Sequence, residues 1–172
     1  HANALAAITN PTVNSYKRIN APRTMSGATW APNTVTWTGN NRTHMVRVPG
    51  PGRFELRSPD GAANPYLFIA SQIVSGLDGV ERDLHPWPAD DEPYEAARPM
   101  LPTSLTDAID AAGDSALFRE QFGDLFMEYF INLKRAELDR YQQFVETEGT
   151  PVTSTASASG NRTNISTSSE IG

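Results

Sequence analysis

The chain has 172 residues, 38% of them hydrophobic and 20% charged, with a net charge of −6 and no cysteine. That length and composition fit one packed domain, and the missing cysteine excludes disulfides, thiolate metal sites and a cysteine nucleophile. No apolar run reaches the roughly 20 residues of a membrane helix, and no basic segment followed by an apolar one marks a secretion signal.

The first expected element is a helix over residues 2–9, and because the chain starts at His1 inside it, the expectation is the C-terminal part of a longer polypeptide. Residues 10–40 are rich in Asn, Thr, Pro and Gly and read mainly as loop, with a short strand over 34–38. His44-Met-Val-Arg-Val-Pro49 alternates apolar and polar residues, as a half-buried strand does. Pro49-Gly-Pro-Gly52 then reads as a turn, and Arg53-Phe-Glu-Leu-Arg-Ser58 as a second strand of a hairpin. A helix is expected from Asn64, a good N-cap, with Pro65 at its first position. Leu67, Ile69, Ala70, Ile73, Val74 and Leu77 leave it little polar face, so it is expected to be buried on most sides. Residues 83–103 carry five prolines and a run of acids and read as an exposed connection. Ser104 with Asp107 resembles a capping box for a helix through Ala112. One long helix is expected over 115–146, with Gly123 as a weak point inside it. Eleven of the 23 residues from 150 to 172 are Ser or Thr, a composition expected to stay disordered. The expectation is thus an α+β domain over 1–148, a hairpin packed with helices, and a disordered tail over 149–172.

Charge is unevenly placed. Residues 1–60 hold seven basic side chains, six of them Arg, and two acids, whereas residues 61–172 hold seven bases and 18 acids. The whole chain lacks the basic balance that nucleic acid would favour. Its first third is suited to capturing phosphate or carboxylate, because the guanidinium fork bonds such anions bidentately. The most informative pattern is Arg53-x-Glu55-x-Arg57, whose alternation puts one carboxylate between two cations on one strand face. Two readings stay open. Glu55 either neutralises its neighbours as an ion-pair partner, or is a hard oxygen ligand for Mg²⁺ or Mn²⁺ beside arginines that hold anionic groups. The second combination is what phosphoryl transfer needs. Arg42 and Arg47 lie just upstream, and no Walker-type Gly-rich loop is present. His44 reads as a partly buried strand histidine, and His1 and His85 have no partner at metal-ligand spacing. The acids at 90–92 read as solvated loop charges.

Several runs then resemble the glutamine synthetase family in order along residues 1–146. They are Asn10-Pro-Thr-Val-Asn-Ser-Tyr-Lys-Arg18, Asn41-Arg-Thr-His-Met-Val-Arg-Val-Pro49, Arg53-Phe-Glu-Leu-Arg-Ser-Pro-Asp60, Ala63-Asn-Pro-Tyr66 and Gly76-Leu-Asp-Gly79. The details are most similar to the rhizobial type III enzymes and to γ-glutamylmethylamide synthetases. The resemblance implies part of the C-terminal catalytic domain of a cytoplasmic homo-oligomer with sites at subunit interfaces, and no nucleic acid or membrane partner. It implies ATP-dependent ligation of ammonia, or of a small amine, to the γ-carboxylate of L-glutamate. By matching positions, Arg18 and Arg57 would hold glutamate, Arg42 would face the transferred phosphoryl group, Arg47 and Arg53 would bind ATP, and Glu55 would ligate Mg²⁺ or Mn²⁺. The family's flap acid has no counterpart, since no Asp or Glu lies between Arg18 and Glu55. A methylamide- or other amine-forming ligase, and a non-catalytic piece that binds nucleotide or partner subunits, are the alternatives.

Overall fold

A computed structural model describes residues 1–22, 30–94 and 97–149. The tail expected to be disordered, from residue 150 on, lies outside the described residues. The fold is α+β. In chain order the elements are α1 (Ala2–Thr9), α2 (Val13–Ile19), β1 (Trp37–Thr38), β2 (Val46–Gly50), β3 (Arg53–Leu56), α3 (Pro65–Glu81), α4 (Leu105–Gly113), α5 (Ala116–Phe122) and α6 (Asp124–Glu148).

The core forms where helices with small inner faces meet. Ala4, Leu5, Ala7 and Ile8 of α1 are buried with Leu105, Ala108, Ile109 and Ala112 of α4. The α4 spacing is i, i+3, i+4, i+7, one continuous apolar stripe, and the alanines on both helices let the backbones approach. Tyr16 and Ile19 of α2, Phe118 of α5, and Met127, Phe130 and Ile131 of α6 complete the cluster.

Three elements differ from the sequence expectation. The stretch expected as loop contains α2, nucleated by a capping box in which Thr12 accepts from the Ser15 amide while the Ser15 side chain accepts from the Thr12 amide. Ser replaces the usual Glu or Gln at that position, which hides the signal. The long helix expected over 115–146 is two, because Gly123 adopts φ 86° and ψ 143° and ends α5 where α6 begins. Only glycine tolerates that conformation. Helix α3 is not buried on most sides: its one fully buried residue is Ser71, while Tyr66, Ile69, Ile73, Leu77 and Val80 are 56–83% exposed. It packs mainly on α1 and α5 among the described residues, and Leu67 and Val74 are its apolar side chains against the core. Its start is as expected, with Asn64 Oδ1 accepting from the Tyr66 and Leu67 amides and Pro65 at the first position.

The three strands form one sheet in the order β1-β2-β3. β2 and β3 are antiparallel, with Arg47 opposite Glu55 and Gly50 opposite Arg53, so β2 carries one extra residue between those pairs. That bulge falls at Val48 and Pro49, where a proline without an N–H is tolerated. The strand runs on to Gly50, and the turn narrows to Pro51 and Gly52, the latter at φ 78°. β1 lies parallel to β2, pairing Trp37 with Val46 and Thr38 with Arg47. Phe54, on the face opposite the arginines, is exposed rather than packed, and Leu56 reaches the core. The described residues of 83–103 are largely exposed as expected, apart from Pro93, Leu101 and Pro102.

Candidate functional site

The hairpin register decides which charges meet. Directly opposed residues of an antiparallel pair bring their side chains within reach, so Arg47 faces Glu55 across the sheet. One Arg47 terminal nitrogen, Nη1, donates to both Glu55 oxygens, at 2.8 and 2.7 Å. The rest of the fork is held from behind: Nε donates to Asn40 Oδ1 at 2.9 Å, and Nη2 bonds the same oxygen. Arg57 approaches Glu55 from the other side at 3.7 Å. The Arg47 hydrogen bonds, aided by the charges of Arg47, Arg57 and Arg53, hold the Glu55 carboxyl below its ordinary pKa. Glu55 is therefore ionised at neutral pH.

Two further links carry the cluster toward the helices. Arg57 Nε donates to the Arg42 carbonyl at 2.7 Å. Arg42 is the central residue of an Asx turn in which Asn41 Oδ1 accepts from the Thr43 amide and hydroxyl at 3.0 and 2.7 Å, and it is exposed. Arg18, in the last turn of α2, donates to Asn10 Oδ1 at 3.1 Å and to the Ser58 carbonyl. Burial lowers the Arg18 pKa, Asp60 opposes that, and Arg57 adds to it, so Arg18 and Arg57 lie within each other's field. Asp60 is fixed by its own amide, which donates to the Thr9 carbonyl at 2.8 Å.

The structure thus brings Arg47 and Arg57 onto the carboxylate of Glu55, ties Arg57 to the Arg42 backbone, and sets Arg18 within the field of Arg57 and Asp60. Arg53 stands at the exposed turn end of β3, where Glu55 feels its charge. Residues that the sequence reading missed are Asn10 and Asn40, which hold Arg18 and Arg47, and Asp60, whose charge acts on Arg18. Asn10 and Asp60 sit inside the recognised motifs, but the contacts that give them roles span eight and more positions. His44 is fully buried, and burial lowers its pKa against the pull of the backbone at Asp91 and the charges of Asp90, Glu92 and Asp91. His1, which has no partner at metal-ligand spacing in the sequence, meets Asp78 at 2.6 Å across 77 positions.

The arginine row lies on an open sheet face. A cavity of about 1070 Å³ lies elsewhere, between α2, the start of α4 and the later part of α6, and touches the cluster only through Arg18. Among the described residues, no group of three His, Asp or Glu side chains could hold a metal ion. Glu55 fits one ligand of a hard cation, but the described residues do not make a whole metal centre. No helix in them is long and apolar enough to cross a membrane.

A family profile described as glutamine synthetase, catalytic domain, matches residues 1–150. Glutamine synthetase of Rhizobium meliloti is 56% identical over 155 residues, which are 86% of this chain and 36% of that protein. Glutamate–methylamine ligase of Methyloversatilis universalis is 43% identical, over 84% of this chain and 34% of that protein. The solved GmaS/ADP complex superposes with a TM-score of 0.74 at 48% identity, covering 83% of this chain and 34% of that one. The chain spans about a third of the length of the relatives it matches.

Proposed function

From the premise that this chain belongs to the glutamine synthetase catalytic-domain family, we propose that the polypeptide carrying it ligates ammonia to the γ-carboxylate of L-glutamate at the expense of ATP. In this reading a γ-carboxylate oxygen attacks the terminal phosphorus of ATP, and the bond to ADP breaks. The amine nitrogen then attacks the acyl carbon of γ-glutamyl phosphate, phosphate leaves, and the nitrogen loses a proton. The protein's part is to position anions and balance their charge. Arg18 and Arg57, adjacent across α2 and the end of β3, hold the carboxylates of glutamate. Arg42 faces the transferred phosphoryl group. Arg47 and Arg53 hold ATP phosphates. Glu55 is one ligand of Mg²⁺ or Mn²⁺, which when bound supplies the positive charge that neutralises phosphate oxygens. The enzyme in this reading is a cytoplasmic homo-oligomer.

The observation that carries the reading is the register of Arg47 against Glu55 with Arg57 on the same carboxylate. It sets forked cations and one hard oxygen donor on a single face. The test is amine-dependent phosphate release from ATP and glutamate by the full-length polypeptide, with product mass as readout. Glutamine from ammonium is the expected product.

A second reading, a ligase for methylamine or another small amine, is favoured by the absence of any acid between Arg18 and Glu55. It also fits the likeness to a glutamate–methylamine ligase. Product formed from methylamine and not from ammonium would select it. ATP binding without turnover on either amine would leave a nucleotide-binding role alone.

A further inference from the structure

Every nitrogen of the Arg47 guanidinium has a partner, and the partners divide it by edge. The side edge, Nε and Nη2, closes on a single oxygen, Asn40 Oδ1, with the Nε contact at 2.9 Å. Nη1 goes to the two Glu55 oxygens, at 2.8 and 2.7 Å. The group carries one N–H on Nε and two on each terminal nitrogen, in a rigid plane. Asn40 takes the Nε proton and one from Nη2. The second Nη2 proton therefore points to the end of the fork, beside Nη1. That end edge, which Nη1 shares with Glu55, is the part still open to another anion.

Asn40 is itself fixed by the sheet. β1 runs parallel to β2 with Thr38 opposite Arg47. The Gly39 carbonyl then accepts from the Val48 amide at 3.2 Å and from the Asn41 amide at 2.9 Å. The first bond ties the residue before Asn40 to the strand that carries Arg47. The second closes a three-residue turn with Asn40 at its centre.

The chemistry of the acceptor matters as much as its place. A carboxylate here would give Arg47 a second anion beside Glu55 and cancel charge that a phosphate needs. An amide oxygen orients the fork and leaves that charge in force. The Arg47 side chain is only 12% exposed. Holding so long a side chain in one rotamer beforehand removes an ordering cost from anion binding.

We propose that Asn40 is a positioning residue for the nucleotide: it holds the Arg47 fork by its side edge, so that the end edge faces an ATP phosphate. The proposal rests on the reading of Arg47 as an ATP ligand.

Asn40→Ala removes the acceptor and leaves Arg47 and Glu55 in place, and because Asn40 is exposed in a turn the fold should tolerate it. The probe is ATP with Mg²⁺, titrated by calorimetry into the full-length polypeptide with glutamate left out. Asn40→Ala should weaken binding about tenfold, the factor that loss of one charge-assisted hydrogen bond gives. The KM for glutamate and the melting temperature should not change. Arg47→Ala should weaken ATP binding at least as much. Asn40→Ala added to Arg47→Ala should cost less than about twofold more, because no fork is left to hold. Loss of ATP affinity in Arg47→Ala but not in Asn40→Ala would overturn the positioning role and leave Arg47 as an ATP ligand. Unchanged affinity in Arg47→Ala would overturn that assignment, and the proposal with it. A full tenfold loss from Asn40→Ala on top of Arg47→Ala would also overturn the proposal, since Asn40 would then act without Arg47. So would a lowered melting temperature with equal losses for ATP and glutamate, which would make Asn40 a brace of the sheet.

Discussion

The carboxylate of Glu55 and the fork of Arg57 are the side chains whose substitution separates a working site from a mere hairpin brace. Arg57→Lys keeps the charge and loses the planar fork. A charge-assisted hydrogen bond is worth about 1.5–3 kcal/mol, so kcat/KM for glutamate in the full-length enzyme should fall on the order of tenfold to a hundredfold. The KM for ATP should move much less. Arg53→Lys should reverse that order, and steady-state kinetics with each substrate varied in turn will show whether it does. Equal losses in both variants would assign the row to holding the sheet together. Glu55 gives a second check, in the titration of its carboxyl carbon by NMR. Its pKa is lowered by Arg47 in the folded state. Its contribution to stability is therefore complete above the unfolded value of about 4.3 and is lost as pH falls through the lower folded value. The midpoint should lie below that of a free glutamate and return toward it in Arg47→Ala. The sequence pattern made this row legible because strand alternation and cross-strand pairing are short-range. It could not reveal that Asn40 and Asn10 hold the forks of Arg47 and Arg18, because loop closure rather than periodicity puts those amides in place.

The hairpin, α1 and the capped starts of α3 and α4 were readable because each carries its own local signal: alternation, Asn64-Pro65, or Ser104 with Asp107. The split at Gly123 was not, since apolar spacing continues undisturbed through Phe118, Phe122, Phe126 and Phe130, and only backbone dihedrals record the break. Glycines at different elements should accordingly respond with opposite signs. Gly123→Ala forces φ 86° on an L-residue, though no heavy atom lies within 4 Å of the added carbon, and should destabilise by about 1–3 kcal/mol. Gly76→Ala sits inside α3, also with nothing within 4 Å. There the conformation is helical, and the change should stabilise by about 0.4–1 kcal/mol. Denaturant melts of the two variants beside the parent will give both signs.

At the scale of the whole molecule, the described site is an open face with one acidic ligand. The 172-residue chain alone should therefore turn over ATP with glutamate and ammonium at least ~10³-fold more slowly than the rhizobial relative, the order of loss that follows removal of a single preorganised donor. ADP release measured side by side settles it, and rates within tenfold would contradict the expectation. What the sequence could not convey at this scale is how the helices share their apolar faces. α3 is as apolar as a core helix, yet half of that surface finds no neighbour among the described residues. The other large-scale feature is the joint between α5 and α6. The rings of Phe122 and Phe126 meet at 6.0 Å across it, and those of Phe126 and Phe130 at 6.3 Å beyond it. Glycine permits the change of direction, and of these contacts only Phe122–Phe126 spans the joint. Beyond the joint α6 extends for 25 residues, about 37 Å at 1.5 Å per residue. Its fully buried side chains, Met127, Phe130 and Ile131, all lie in the first third. Farther along, Leu138 packs on the core and Arg135 pairs with Asp110 at 3.2 Å. A 10° change at Gly123 would carry the far end roughly 6 Å for that helix length. Leu138, Tyr141 and Gln142 form one wall of the 1070 Å³ cavity, and Tyr16 and Lys17 of α2 another. A change of angle at Gly123 would thus be felt at the cavity wall some 15 to 19 residues away, resisted by Leu138 against the core and by the Arg135–Asp110 pair at 3.2 Å.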